Sequence, residues 1–270
     1  MENENIPDRR LGIVEMSPAE IRDQYGSSNQ NPYPRNRRAI NGSMVNDHDY
    51  RYIVSLHKPG TDAFSCAGTI LTPKLILTAA HCIKNKTSRP THIRVSNVNG
   101  LHKTIVKIED YILHESFNAT GLINDIGLLL LRDPIPNSKC VQRAPKNSTL
   151  ESGTTVVAYG WGKTAENGTI SKNLISVELP ISDRPNCFIT HDKSRICVET
   201  NKGASLCEGD SGGPLMWKNY QIGIISANVV SCTSGRPSRS TSVPAFVEWI
   251  DEKIRLYDKV NGTISHYCMT

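Results

Sequence analysis

Short runs of β-forming residues, each ended by turn residues, limit the fold of this chain more than any other feature. Clear examples cover residues 52–56, 93–95, 104–108, 154–158 and 221–225. Many short strands without intervening helices predict an antiparallel barrel or sandwich. We therefore expect an all-β protein.

One segment near the end of the chain departs from this pattern. Apolar residues recur there at helical spacing behind Pro244, namely Val243, Phe246, Val247, Ile250 and Ile254. A proline in the first turn followed by this spacing predicts one C-terminal helix.

The N-terminal segment differs from both patterns. Residues 1–38 are polar and proline-containing, lack cysteine and end on Arg37 and Arg38. That composition predicts an exposed, poorly ordered arm.

Length and charge exclude several classes of protein. The 270 residues, 38% of them hydrophobic, suffice for one large domain or two small ones with a sizeable core. The longest purely apolar stretch, residues 128–131, is far shorter than the roughly 20 residues that cross a bilayer. The net charge of +5 is not spread along one face, as nucleic-acid binding would require. We expect neither a membrane nor a nucleic acid as partner.

Cysteines and glycosylation sequons indicate an oxidising compartment. The chain has eight cysteines and no Cys-x-x-Cys pair for zinc. Six Asn-x-Ser/Thr sequons begin at Asn41, Asn85, Asn118, Asn147, Asn167 and Asn261. A secreted protein is expected, glycosylated at the last five of these sites. Residues 1–5 have neither the basic start nor the apolar core of a signal peptide, so we expect the signal to lie outside this sequence.

Three motifs together indicate nucleophilic catalysis. Residues 209–214 read Gly-Asp-Ser-Gly-Gly-Pro and place Ser211 among glycines, which alone would usually mark only a turn. Two partners change that reading: His81 lies beside a cysteine, and Asp125 precedes an apolar strand. A serine hydroxyl near neutral pH needs an imidazole to take its proton and a carboxylate to hold that imidazole in the right tautomer.

From residue 39 to about residue 257, the chain resembles the chymotrypsin-like (trypsin) family of serine proteases. The order His81, Asp125, Ser211 matches that family. Further matching motifs occupy residues 65–68, 112–118, 159–162, 223–226 and 246–250. The resemblance implies two six-stranded antiparallel β-barrels with a C-terminal helix, and a secreted endopeptidase made as a zymogen. It divides the chain into a propeptide arm (1–38), a protease domain (39–257) and a C-terminal extension (258–270).

The resemblance also assigns roles within the site. Ser211 would be the nucleophile, His81 the general base and then acid, and Asp125 the residue that orients the imidazole. Backbone N–H groups of Gly209 and Ser211 would form the oxyanion hole. Activation is expected by cleavage between Arg38 and Ala39, after which the new amino group would pair with Asp210.

Substrate choice is expected to depend on an uncharged pocket. Ser205, six residues before Ser211, would lie at the base of the primary pocket, where trypsin-like members have an aspartate. Ser226, Asn228 and Ser238 would contribute to its walls. Because an unpaired cation is costly to bury, we expect no preference for Arg or Lys. Side chains at the walls should narrow the pocket, so we expect cleavage after small or medium uncharged residues such as Ala, Val or Leu.

Disulfides and partners follow from the same resemblance. It selects the pairs Cys66–Cys82, Cys187–Cys197 and Cys207–Cys232. Cys140 and Cys268 remain, and two alternatives stay open for them: a bridge, or a free or intermolecular thiol at Cys268.

Expected partners are a protein or peptide substrate, an activating protease and protein protease inhibitors, with the enzyme itself a monomer. No metal or other cofactor is expected, because the segment that corresponds to the calcium loop of some members, residues 95–104, supplies no carboxylate. The alternative function is that of a catalytically weak or inactive homologue, which acts as a binding protein or cofactor in a protease cascade.

Overall fold

A computed structural model describes residues 42–45, 50–61, 63–96, 103–165, 167–183, 193–200, 205–226, 232 and 234–261. Most of these residues belong to short strands. The strands of the first half are β1 (Ser43–Met44), β2 (Ile53–His57), β3 (Phe64–Thr72), β4 (Leu75–Thr78), β5 (His92–Ser96), β6 (Lys103–Leu113) and β7 (Gly127–Leu131). Those of the second half are β8 (Gln142–Arg143), β9 (Thr155–Gly160), β10 (Ile175–Pro180), β11 (Arg195–Val198), β12 (Pro214–Trp217), β13 (Tyr220–Ile225) and β14 (Ser238–Ser242). A four-residue helix α1 (Ala80–Ile83) follows β4, and a 3₁₀ turn (Val243–Phe246) leads into helix α2 (Val247–Asn261).

The first barrel closes completely. Its strands pair in the order β2-β3-β4-β7-β6-β5, with β5 returning to β2 in antiparallel register. Inward-facing side chains such as Val54, Leu56, Ile76 and Leu128 have no exposed surface. Such burial is what a small barrel requires, because its interior must be filled by side chains.

The second sheet differs in how it closes. Its strands follow the path β1-β10-β9-β12-β13-β14-β11, and β8 joins β13 in parallel. Strand β11 meets the end of β10 through one isolated bridge, Ile181 to Val198, flanked by hydrogen bonds of 2.9 Å (Ser182 N to Cys197 O) and 2.8 Å (Glu199 N to Pro180 O). The predicted all-β class is confirmed. The second barrel, however, carries two additional short strands and closes through this one bridge rather than through a full ladder.

Apolar and polar contacts join the two barrels. Ile53 and Ala67 of the first barrel pack in one buried cluster with Tyr159, Trp161 and Met216 of the second sheet. A hydrogen bond of 2.8 Å also crosses the interface, from the hydroxyl of Thr69 to Oε1 of Gln221, and neither residue has any exposed surface.

Helix α2 packs against the first barrel, as its apolar spacing predicts. Phe246 and Ile250 belong to the same buried cluster as the strands of that barrel. At the surface, Glu115 accepts a hydrogen bond from Nε1 of Trp249 (2.8 Å) and pairs with Nζ of Lys253 (2.5 Å). The helix ends at Asn261, so the expected start of the C-terminal extension at residue 258 falls within it. Among the described residues, no helix is long and apolar enough to cross a membrane.

Candidate active site

Strand register brings His81 and Asp125 together. Thr78, the last residue of β4, lies opposite Gly127, the first residue of β7. His81 follows Thr78 by three residues and Asp125 precedes Gly127 by two, so antiparallel pairing places both at the same edge of the barrel. Gly127 permits the close approach of α1, because a Cβ there would lie 2.7 Å from Cδ1 of Ile83.

Two hydrogen bonds join these residues. Nδ1 of His81 lies 2.6 Å from Oδ2 of Asp125, and the backbone N–H of His81 donates to Oδ1 at 2.8 Å. The aspartate side chain is fully buried, whereas 22% of the histidine side chain is exposed. Because a carboxylate only accepts, Nδ1 carries the proton and Nε2 is left unprotonated, 3.7 Å from Sγ of Cys82.

Residues of the second sheet hold Asp125 from the opposite side. The Ser226 hydroxyl donates to Oδ2 of Asp125, and the Thr241 hydroxyl donates to its backbone carbonyl at 2.9 Å. Arg195, which lies opposite Thr241 on the neighbouring strand β11, donates from Nη2 to the carbonyl of Gly121 at 2.6 Å. The segment that leads into Asp125 is therefore fixed by the barrel to which it does not belong.

Ser211 lies in a turn that packs tightly against the first barrel. The backbone N–H of Ala67 donates to the carbonyl of Ser211 at 2.8 Å, and the carbonyl of Ala67 accepts from the Thr78 hydroxyl at 2.8 Å. Through Ala67, the turn that carries Ser211 is thus linked to the strand that leads into His81. Gly212 makes this approach possible: its φ is +81°, and a Cβ there would lie 2.2 Å from the carbonyl oxygen of Ala67.

Backbone N–H groups around Ser211 are available for a ligand. In the part of the chain that the structure describes, neither Gly209 nor Ser211 donates its N–H to a protein group. The carbonyl of Glu208 accepts from the N–H of Lys163 at 2.9 Å. Across a trans peptide the N–H points opposite to the carbonyl, so the N–H of Gly209 is directed away from Lys163.

Asp210 is held within this loop by backbone donors. Its carboxylate accepts from the N–H of Gly162 at 2.8 Å and from that of Cys207 at 2.9 Å. Burial raises the pKa of Asp210 to about 6, against the lowering effect of these two hydrogen bonds. At neutral pH the loop therefore holds a carboxylate whose charged form is disfavoured. The expected partner at Ala39, and Arg38 before it, lie outside the described residues.

Three of the four expected pocket residues are described. Ser205 is buried and donates its hydroxyl to the carbonyl of Leu206 at 3.0 Å. Ser238 is buried on β14. Ser226 donates its hydroxyl to Asp125, and its expected place in a pocket wall stays a prediction. Asn228 lies outside the described residues.

Cysteines and sequons are placed as follows. Disulfides join Cys66 to Cys82 and Cys207 to Cys232. Cys140 and Cys197 are also disulfide-bonded, but the partners expected for them, Cys268 and Cys187, lie outside the described residues. Ligand atoms of Cys66, His81 and Cys82 lie within 4.8 Å of one another, yet the two sulfurs are bonded to each other and do not offer thiolates to a metal.

The expected glycosylation sites lie at the surface where they are described. The asparagines of four sequons, at positions 85, 118, 147 and 167, are exposed, whereas Asn41 and the side chain of Asn261 lie outside the described residues.

Comparison with known proteins agrees with this geometry. The family model described as Trypsin matches residues 39–250. The chain belongs to the trypsin family of serine proteases. This family hydrolyses protein or peptide substrates.

Individual relatives fit the same family. Chymotrypsin-2 of Vespa crabro is 35% identical over 219 residues, which cover 79% of this chain and 98% of the relative. Brachyurin of Leptuca pugilator is 31% identical over 197 residues, covering 70% of this chain and 87% of the relative. A solved structure, a mutant of human heparin binding protein, superposes with a TM-score of 0.70 at 20% identity over 79% of this chain and 96% of that one. This last likeness supports the trypsin fold.

Sequence reasoning missed two residues that support Asp125. Thr241 and Arg195 follow no motif, and each acts through a strand distant from residue 125 in the chain. A signal was present only for Arg195: it is a charged residue within a short β-rich run, and an arginine is rarely buried without partners.

Two glycines with the same backbone conformation test the close packing of this trypsin-family loop. Gly212 and Gly153 have φ values of +81° and +82°, but a Cβ at Gly153 would meet nothing within 4 Å. We expect Gly153→Ala to cost about 1–2 kcal/mol of unfolding free energy from backbone strain alone. Gly212→Ala should cost about 2–5 kcal/mol, because the clash with Ala67 is added. Urea unfolding of both variants measures the difference, and equal losses would contradict the packing argument.

The raised pKa of Asp210 predicts how stability changes with pH. The uncleaved chain binds this proton more tightly when folded, so the contribution of Asp210 is full below the unfolded pKa of 3.8 and is lost as pH rises through about 6. A pKa shift of about two units corresponds to about 2–3 kcal/mol of unfolding free energy. We expect the unfolding free energy of the wild type to fall by about that much more between pH 4 and pH 7.5 than that of Asp210→Asn. Denaturation at both pH values measures it, and parallel profiles would show that the loop does not hold the proton.

Proposed function

We propose that this chain is a secreted serine endopeptidase, made as a zymogen, which hydrolyses peptide bonds through an acyl-enzyme on Ser211. The observation that carries the proposal is the contact between the buried Asp125 carboxylate and Nδ1 of His81, because it orients the imidazole and leaves Nε2 as the nitrogen that can take a proton. Membership of the trypsin family supports the same reaction.

The first half of the reaction uses these groups in sequence. Oγ of Ser211 attacks the carbonyl carbon of the substrate while Nε2 of His81 takes the hydroxyl proton. The negative charge that forms on the substrate oxygen accepts hydrogen bonds from the N–H groups of Gly209 and Ser211. The bond to nitrogen then breaks, and His81 gives its proton to the leaving amine.

Water completes the second half. It attacks the ester carbonyl as His81 takes its proton, and the bond to Oγ of Ser211 breaks with return of that proton to the serine. Asp125 stabilises the imidazolium in both halves without becoming protonated. Ser226 and Thr241 keep the carboxylate oriented toward His81 throughout.

Activation would occur by cleavage between Arg38 and Ala39. The match to the family begins at residue 39, where the mature enzyme would begin. The new amino group offers a cation to Asp210, whose burial otherwise makes its charged form costly. Pairing would hold the adjacent oxyanion loop in its binding conformation.

Secretion and specificity complete the proposal. The disulfides Cys66–Cys82 and Cys207–Cys232 suit an oxidising compartment, as do the exposed sequon asparagines. Ser205 at the base of the pocket carries no charge, so the enzyme would cleave after small or medium uncharged residues.

Removal of the nucleophile tests the reaction. We expect Ser211→Ala to lower kcat/KM on peptide substrates by at least about 10⁴-fold, and His81→Ala to act comparably. Folding should be retained, since a hydroxyl is lost rather than packing, and an unchanged urea midpoint is the control. If the cleaved wild-type protein turns over no peptide and is not labelled by a fluorophosphonate, the binding-protein alternative is correct instead.

Activation has its own test. N-terminal sequencing of the active enzyme should give Ala39 as the first residue, and Arg38→Gln should abolish activation by a trypsin-like protease. The matched control is Arg37→Gln, which leaves the expected cleavage residue in place and should still be activated. A different N-terminus on the active enzyme would contradict this scheme.

A further inference from the structure

Three buried serines lie on β14 and in the segment that precedes the turn of Ser211. Ser205 is 9% exposed, Ser238 is 7% exposed and Ser240 is 1% exposed. Within the described part of the chain, the hydroxyls of Ser238 and Ser240 have no hydrogen-bond partner. The Ser205 hydroxyl donates to Leu206 but keeps its lone pairs free to accept. Buried polar groups without partners are rare, so this pair requires an explanation.

Strand alternation places Ser238 and Ser240 on one face of β14. The residues between and after them face the other way: Arg239 is exposed, and the Thr241 hydroxyl is bonded to Asp125. Ser240 lies opposite Ile196 of β11 and opposite Ile225 of β13, and neither side chain can form a hydrogen bond. The two hydroxyls are therefore not explained by contacts within the sheet.

The same strand positions connect these serines to the reacting groups. Ile225, the β13 neighbour of Ser240, accepts from the N–H of Gly212 at 2.8 Å and donates to the carbonyl of Gly213 at 2.8 Å. Ser240 is therefore one strand away from the turn that carries Ser211. On the other side, the Cys207–Cys232 disulfide ties the segment of Ser205 to the segment that leads into β14.

We propose that the hydroxyls of Ser205, Ser238 and Ser240 together line the primary pocket and select a substrate residue with a neutral amide side chain, Gln or Asn, before the scissile bond. This inference rests on the proposed protease function and narrows its uncharged specificity to one chemical class. Ser240, for which sequence reasoning gave no role, becomes a specificity-determining residue.

An amide is the side chain that fits three hydroxyls best. Each hydroxyl both donates and accepts, and an amide offers two N–H donors and an accepting oxygen. An aliphatic side chain would displace water from the pocket and leave the hydroxyls unpaired. A guanidinium or carboxylate would be buried against neutral groups alone, which disfavours both charges.

A matched substrate series tests the inference. The full chain is cleaved by limited trypsin treatment, trypsin is inhibited, and active sites are counted with a fluorophosphonate. Tetrapeptide anilides that differ only in the last residue, Gln, Met, Leu, Glu or Arg, are then compared by kcat/KM. Gln and Met have similar length, so their ratio reports the amide contacts, and we expect Gln to be preferred by roughly tenfold.

Serine-to-alanine variants show which hydroxyls cause the preference for Gln. Ser240→Ala should lower the Gln/Met ratio of kcat/KM roughly fivefold, since one hydroxyl that contacts the amide is lost. Ser138→Ala is the matched control, because Ser138 is also buried but lies between the two barrels in sequence, and its ratio should equal that of the wild type. Ser238→Ala should lower the Gln/Met ratio as Ser240→Ala does, and it provides the test of the pocket assignment if the Ser240 variant fails to fold.

The outcomes separate the two proposals. An enzyme that is labelled and active but prefers Met, Leu, Glu or Arg overturns the amide specificity and leaves the protease function intact. A Gln preference that survives both Ser240→Ala and Ser238→Ala overturns the assignment to these residues. A cleaved chain that is neither labelled nor active overturns the protease function and this inference with it.

Discussion

The buried carboxylate of Asp125 is the group on which the rest of the site depends. A fully buried anion is stable only when donors surround it, and here the donors come from two barrels. His81 contributes Nδ1 and its backbone N–H from the first, and Ser226 contributes its hydroxyl from the second. The charge that orients the imidazole is therefore satisfied only when both barrels are folded and correctly docked.

The second constraint on the site is the need for glycines, which have no side chain, where backbone segments pack closely. Gly212 and Gly213 bring the turn of Ser211 so close to Ala67 and Tyr159 that a Cβ at either glycine would overlap a backbone oxygen. Gly160 and Gly162 make the same allowance for the carboxylate of Asp210. The glycine-rich motifs visible in the sequence are thus required by packing as well as by backbone conformation.

Sequence alone predicted the parts of the molecule that depend on local pattern. Short β-rich runs and one amphipathic segment sufficed for the barrels and helix α2. Three separate motifs pointed to His81, Asp125 and Ser211, and hydrogen bonds join the first two of these in the structure. Contacts that depend on register between distant strands could not be predicted. Thr241 reaches Asp125 and Ser240 lies opposite Ile225 only because β14 pairs with β13 in one register. The hydrogen bond from Ser226 to Asp125 likewise joins residues that are distant in the chain.

The hydrogen bond between Thr69 and Gln221 has a consequence for how the chain unfolds. Both groups have no exposed surface, and each would be left without this partner if one barrel opened while the other remained intact. Opening of either barrel gives up this bond together with the apolar contacts of the interface, so half-opened states lose both. The interface thereby couples the stability of one barrel to that of the other.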